Sequence, residues 1–177
     1  NDTAYNRAGI AAERAILLAD LQSEDDGPGL PYQHEVTIHE GYGHWLQLED
    51  AVAFDFMRPF TRSITPQVIK WAQGGVTHQR FYWLKSHTPT RNDRVMATQE
   101  GQTFTVTPEQ DAHFSLLLRD DQVSLDESIS VLGPDDSILF TGIAQRTARA
   151  IYESIESRGD PAAIVHAEVI LPPIEVD

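Results

Sequence analysis

Chemistry in this chain is concentrated in "HEVTIHEGYGHWLQLED", His34 to Asp50, where three histidines, His34, His39 and His44, recur at five-residue intervals and the first two are each followed by glutamate. Metal binding is the first chemistry to weigh. Both "HEVTIH" and "HEGYGH" read H-E-x-x-x-H, one residue longer than the H-E-x-x-H of zinc peptidases. On a helix that extra residue turns the second histidine by about 140°, at ~100° per residue, off the shared face. On a strand His34 and His39 point to opposite sides. Gly41 and Gly43 disfavour a helix. The plainer reading of His34 and His39 is therefore polar decoration of a strand and turn. His44 is different. It follows a strand pattern, sits on a glycine-containing turn and precedes an amphipathic run, a position suited to a general base. The alternative for His44 is a loop histidine packed on Trp45.

The elements that would position it can be read on either side. "NDTAYNRAGIAAERAILLADLQ" reads as a helix after a short lead, with Ile10, Arg14, Leu17 and Leu21 at helical spacing and Asp2 and Thr3 placed as lead and N-cap. "HEVTIHE" alternates as a short strand. Leu48, Val52, Phe56 and Phe60 then recur every four residues, which predicts a helix from about 48 to 60. Near Thr65 the pattern changes. "QVIKWAQGGVTHQRFYWLK" gives two β-rich runs around Gly74-Gly75, a hairpin signal. Short strands follow at Val95–Thr98, Thr103–Thr107, Phe114–Leu118, Ser128–Leu132 and Ile138–Thr141, separated mostly by Gly, Pro and Asp. "AQRTARAIYESIESRG" predicts one helix with Ile151 and Ile155 in register and Gly159 at its end. "AAIVHAEVIL" reads as a last strand. Two parts result: residues 1–64, alternating helix and strand, and residues 65–177, a mainly antiparallel, sandwich-like β domain with one helix.

Composition narrows the functions. The 177 residues are 41% hydrophobic, which supports a packed core, and carry a formal charge of −14. That balance argues against nucleic acid and anionic membranes as partners. No cysteine is present, so disulfides, thiolate nucleophiles and cysteine-based zinc sites are excluded. No apolar run approaches the ~20 residues of a membrane-spanning helix. The acid-rich "RDDQVSLDESISV" lacks the residue order of an EF-hand and reads as a solvated turn. Arg146 and Arg149 lie where surface acids can pair with them. The aromatics of "HQRFYWL" suit core or interface packing, with a carbohydrate platform as the alternative.

Taken together, "DTAYNR", "HEVTIHEGYGHW", "VTHQRFYWL" and the stretch from "LLLRDDQVSLDESISV" to "AAIVHAEVIL" resemble the C-terminal part of bacterial α/β-hydrolases. These are dienelactone-hydrolase or prolyl-oligopeptidase-like proteins with an extra C-terminal β-domain. The resemblance spans nearly the whole chain. It implies an α/β piece in residues 1–64, cleavage of a small-molecule ester or peptide through an acyl-enzyme, and no cofactor. It makes His44 the general base and Asp2 the acid, in the acid-before-histidine order of that fold. It also favours export to the periplasm or beyond. One departure is plain: none of the ten serines lies in G-x-S-x-G. The nucleophile is therefore expected upstream, on an N-terminal part of the hydrolase or a second chain, and this chain alone is expected to be inactive. Self-association is left open. The alternative reading is a non-enzymatic module whose β-domain binds a partner or carbohydrate.

Overall fold

The computed structural model describes residues 7–25, 35, 42 and 46–176. The chain divides into two compact units, Asn1–Arg62 and Ser63–Asp177.

In the first unit, α1 spans Arg7–Asp25 and α2 spans only Val52–Met57. The helix expected from 48 to 60 is thus much shorter. Leu46, Gln47 and Leu48 all have φ between 51° and 70°, a left-handed stretch that L-residues do not propagate as an α-helix. Before α2 the chain makes a 3-10 segment, Leu46–Ala51, instead. The four-residue apolar repeat does not become a buried stripe: Leu48 is 81% exposed, and Val52 and Phe60 are also exposed. The rings of Phe56 and Phe60 meet at a tilt, their centroids 5.3 Å apart. Of the strand expected at His34–Glu40, only Glu35 is among the described residues.

The second unit is a two-sheet β-sandwich. Its strands are β1 (Val68–Ala72), β2 (Arg80–Phe81), β3 (Leu84–Ser86), β4 (Arg94–Glu100), β5 (Thr103–Pro108), β6 (Phe114–Leu118), β7 (Ser128–Leu132), β8 (Ile138–Ile143) and β9 (Ala167–Ile170). One sheet has the order β1-β4-β5-β7-β8 and the other β2-β3-β6-β9. All pairings are antiparallel except β5 with β7. The expected fold class is corrected here. The described residues are mostly β, with two sheets and three α-helices, and they fit a β-sandwich rather than the C-terminal end of an α/β-hydrolase fold.

Alternation builds the core. Ile69, Trp71, Val95, Ala97, Phe104, Val106, Ile129 and Val131 face inward from the five-stranded sheet. They meet Trp83, Leu84, Phe114, Leu116, Leu118, Ala167 and Val169. Trp83 lies in the tight β2–β3 turn beside Tyr82, whose φ is 53°. Its indole nevertheless sits in the core, edge-on to Phe104 at 5.3 Å, and its Nε1–H donates to the Pro66 carbonyl at 2.7 Å.

The hairpin signal at Gly74-Gly75 is also corrected. β1 pairs with β4, whereas β2 and β3 belong to the opposite sheet, so the glycines carry a crossover. The crossover is closed by the buried Gln73, whose amide donates to the His78 carbonyl at 2.7 Å and accepts from the His78 N–H at 2.9 Å.

The last helix, α3 (Ala148–Arg158), has the expected cap at Gly159, left-handed at φ 60°. Its buried face is one residue away from the expected register. Ala150 and Ser154 are buried, while Ile151, Tyr152 and Ile155 are exposed. Ser154 explains the choice: its Oγ donates to the Ile151 carbonyl and accepts from the Val165 N–H, tying the helix to the segment before β9. At the other end, Thr147 Oγ1 accepts from the Ala150 N–H at 3.1 Å. Thr147→Ala is expected to cost about 1 kcal/mol through the lost N-cap. A chemical-denaturation midpoint unchanged from the parent chain would contradict that.

Candidate functional site

The outer face of the four-stranded sheet carries the polar cluster of the described residues. Alternation dictates its members. Within β3, β6 and β9 the core residues Leu84, Phe114, Leu116, Ala167 and Val169 face in, so Lys85, Ser115, Leu117 and Glu168 face out. Register then makes them neighbours, because Lys85 pairs with Ser115 and with Arg80, and Leu117 pairs with Glu168. Helix α3 packs over part of this face, where Leu117, Ala150 and Val165 form a small apolar cluster. β6 is consequently buried on both faces, as its unbroken burial shows.

Lys85 Nζ lies 2.8 Å from Glu168 Oε1, with side chains 29% and 18% exposed. His87 Nε2 lies 2.6 Å from the Oγ of Ser115, which is fully buried. The His87 and His113 rings are tilted against each other at 4.5 Å. Burial, then the charges of His113 and Lys85, hold His87 below the ordinary imidazole value, with Glu168 opposing. Burial pushes Glu168 upward, but the hydrogen bond from Lys85 and the Lys85 charge lead the effects that outweigh it and bring the carboxyl below its usual range.

Serine, histidine and acid are therefore neighbours, but they are not joined as a catalytic triad. A catalytic histidine sits between the acid and the serine and takes the serine's proton. Here Glu168 is held by Lys85 at 2.8 Å, and no hydrogen bond joins it to His87. Ser115 Oγ and His87 Nε2 share a hydrogen bond at 2.6 Å whose direction follows the imidazole tautomer. Ser115 is fully buried. The cluster is a satisfied polar network beneath the surface.

The acid-rich turn holds no calcium-type arrangement. Arg146 is hydrogen-bonded to Asp120 and at 2.7 Å to Asp126, and Arg119 takes Asp121 at 2.7 Å. Arg149 pairs with Glu153 at 2.6 Å. The "RFYWL" aromatics do not form a flat platform. Phe81 stacks on Trp71 at 5.7 Å and meets Tyr82 edge-on, while Trp83 is core.

Compared with known protein families, curated proteins and solved structures, the chain matches none. Asp2, His34, His39 and His44 lie outside the described residues. Among the described residues no group of three or more His, Asp or Glu side chains could hold a metal ion. No helix among them is long and apolar enough to cross a membrane. The network of Lys85, His87, Ser115 and Glu168 was missed by sequence reasoning. Its one sequence signal is Ser115, a polar residue inside the apolar run Phe114–Leu118.

The Lys85–Glu168 pair gives a pH-dependent test. Glu168 titrates below its unfolded value, so its contribution is fully present above the unfolded carboxylate pKa and is lost as pH falls through the lower folded value. Lys85→Met should cost about 1–2 kcal/mol at pH 7, between an exposed and a fully buried pair. The gap to the parent chain should close as pH falls through the carboxylate range. Urea titrations across that range read this directly, and a pH-independent gap would contradict it.

Proposed function

We propose that this chain belongs to a serine hydrolase that cleaves an ester or peptide through an acyl-enzyme, with residues 63–177 as a non-catalytic sandwich. In this reading a serine outside the sequence attacks the carbonyl. His44 takes its proton and returns it to the leaving group, and Asp2 orients the imidazole. The sequence resemblance supports the roles of His44 and Asp2. The division of labour rests on one observation: Ser115, which lies in a polar cluster with a histidine and an acid, is fully buried.

Fluorophosphonate labelling of the intact protein followed by peptide mapping tests this. The label is expected on a serine outside these 177 residues, and Ser115→Ala should label as fully as the parent. A label on Ser115 would overturn the proposal. The second reading, a binding module without chemistry, is favoured by the cleft beside α3.

A further inference from the structure

The groove between α3 and the outer face of the four-stranded sheet has a volume of about 290 Å³. That is close to the lower limit of small-molecule pockets, roughly 300 Å³. Its apolar lining comes from Leu117, Ala150 and Val165, each less than a tenth exposed. Arg80 also lines it, next to Lys85 in the β2–β3 register.

The charges of this groove are mostly committed. Lys85 is paired with Glu168, and Glu153 with Arg149. Glu156 accepts from the Tyr152 hydroxyl at 3.3 Å and is exposed. Arg80 is the exception. Its Nε donates to the Tyr82 carbonyl at 3.1 Å, and among the described residues no carboxylate lies within ion-pair distance of its guanidinium. Burial, together with the like charges of Arg158 and Arg119, pushes that group down to about 10. A half-buried guanidinium among cations, with its terminal N–H groups unspent, is an incomplete arrangement that an anion completes.

We propose that this groove binds a small aliphatic carboxylate, its carboxyl on the Arg80 guanidinium and its alkyl chain over Leu117, Ala150 and Val165. The carboxyl fits the planar fork of Arg80, and the apolar lining rewards each methylene it covers. The site does not depend on the hydrolase reading, since every group in it belongs to the sandwich.

The test is a backbone-amide shift titration of the full chain with sodium butyrate, sodium acetate and sodium phosphate at constant ionic strength. Butyrate is expected to bind with Kd on the order of 1 mM, moving the amides of Leu117 and Ser154. Its two extra methylenes should make it about tenfold tighter than acetate. Arg80→Gln should weaken butyrate at least tenfold, and Arg80→Lys should recover only part of that loss. The chain-length comparison needs no variant, so it decides the matter even if Arg80→Gln does not fold. Equal affinity for acetate and butyrate, phosphate binding as tightly as butyrate, or no saturable shift in the millimolar range would each overturn the proposal.

Discussion

Trp83→Ala is expected to destabilise the sandwich by about 3–5 kcal/mol, enough to unfold much of a marginally stable domain. Three losses coincide at this position. The indole is 1% exposed, so its removal opens a cavity in a core whose neighbours are held by two sheets. The edge-on contact with Phe104 disappears, and that contact joins the four-stranded sheet to the five-stranded one. The Pro66 carbonyl also loses the indole N–H at 2.7 Å. Trp83→Phe separates these contributions, because it keeps most of the volume and the ring contact while deleting the donor. It should cost about 1–2 kcal/mol. Equilibrium denaturation of both variants supplies the numbers. A loss below 1 kcal/mol for Trp83→Ala would mean that the indole does not join the two sheets.

His44→Ala should lower kcat/KM of the intact protein by about 10³-fold or more, with the fold unchanged. The size follows from the role. A general base that also returns the proton acts in both acyl transfers, so removing it damages formation and breakdown of the acyl-enzyme. Asp2→Asn should also reduce turnover strongly, because the imidazole loses the group that fixes its tautomer. His34→Ala and His39→Ala serve as internal comparisons and should leave turnover within a few-fold. Steady-state kinetics on a chromogenic short-chain ester reads all four. If His44→Ala turns over like the parent, the histidine is a loop residue and the hydrolase proposal is lost.

Much of the strand layout was legible from local pattern. Val95, Ala97 and Gln99 are the alternate inward positions of β4, and Phe104 and Val106 alternate with threonines along β5. Gly101-Gln102 between them is a turn with Gly101 at φ 56°. Gly159 ended α3 for the same reason, since a left-handed cap costs glycine nothing. Such signals live within a few residues of chain, where backbone sterics and period-two burial act directly. The pairing of strands was not legible. Gly74-Gly75 looks like a hairpin, yet β1 and β2 enter different sheets. β5 finds β7 in parallel across an excursion that places β6 in the other sheet. Pairing is chosen by which faces can be buried together, and no local stretch contains that information.

The site followed the same division. Sequence by itself determined the chemistry available: no thiol, three histidines in one short run, and no serine in an exposed elbow. It determined the alternation that sets Lys85, Ser115 and Glu168 opposite the core. Only the tertiary structure decided that these residues meet, because three strands far apart in sequence had to come into register. It also decided the face of α3. Helical periodicity favoured Ile151 and Ile155, but burying Ser154 lets its hydroxyl satisfy the Val165 N–H. That choice also opens the groove beside Leu117. Arg80 shows the limit most clearly. As sequence it is one of thirteen basic residues; the fold alone half-buries it without a carboxylate partner among the described residues.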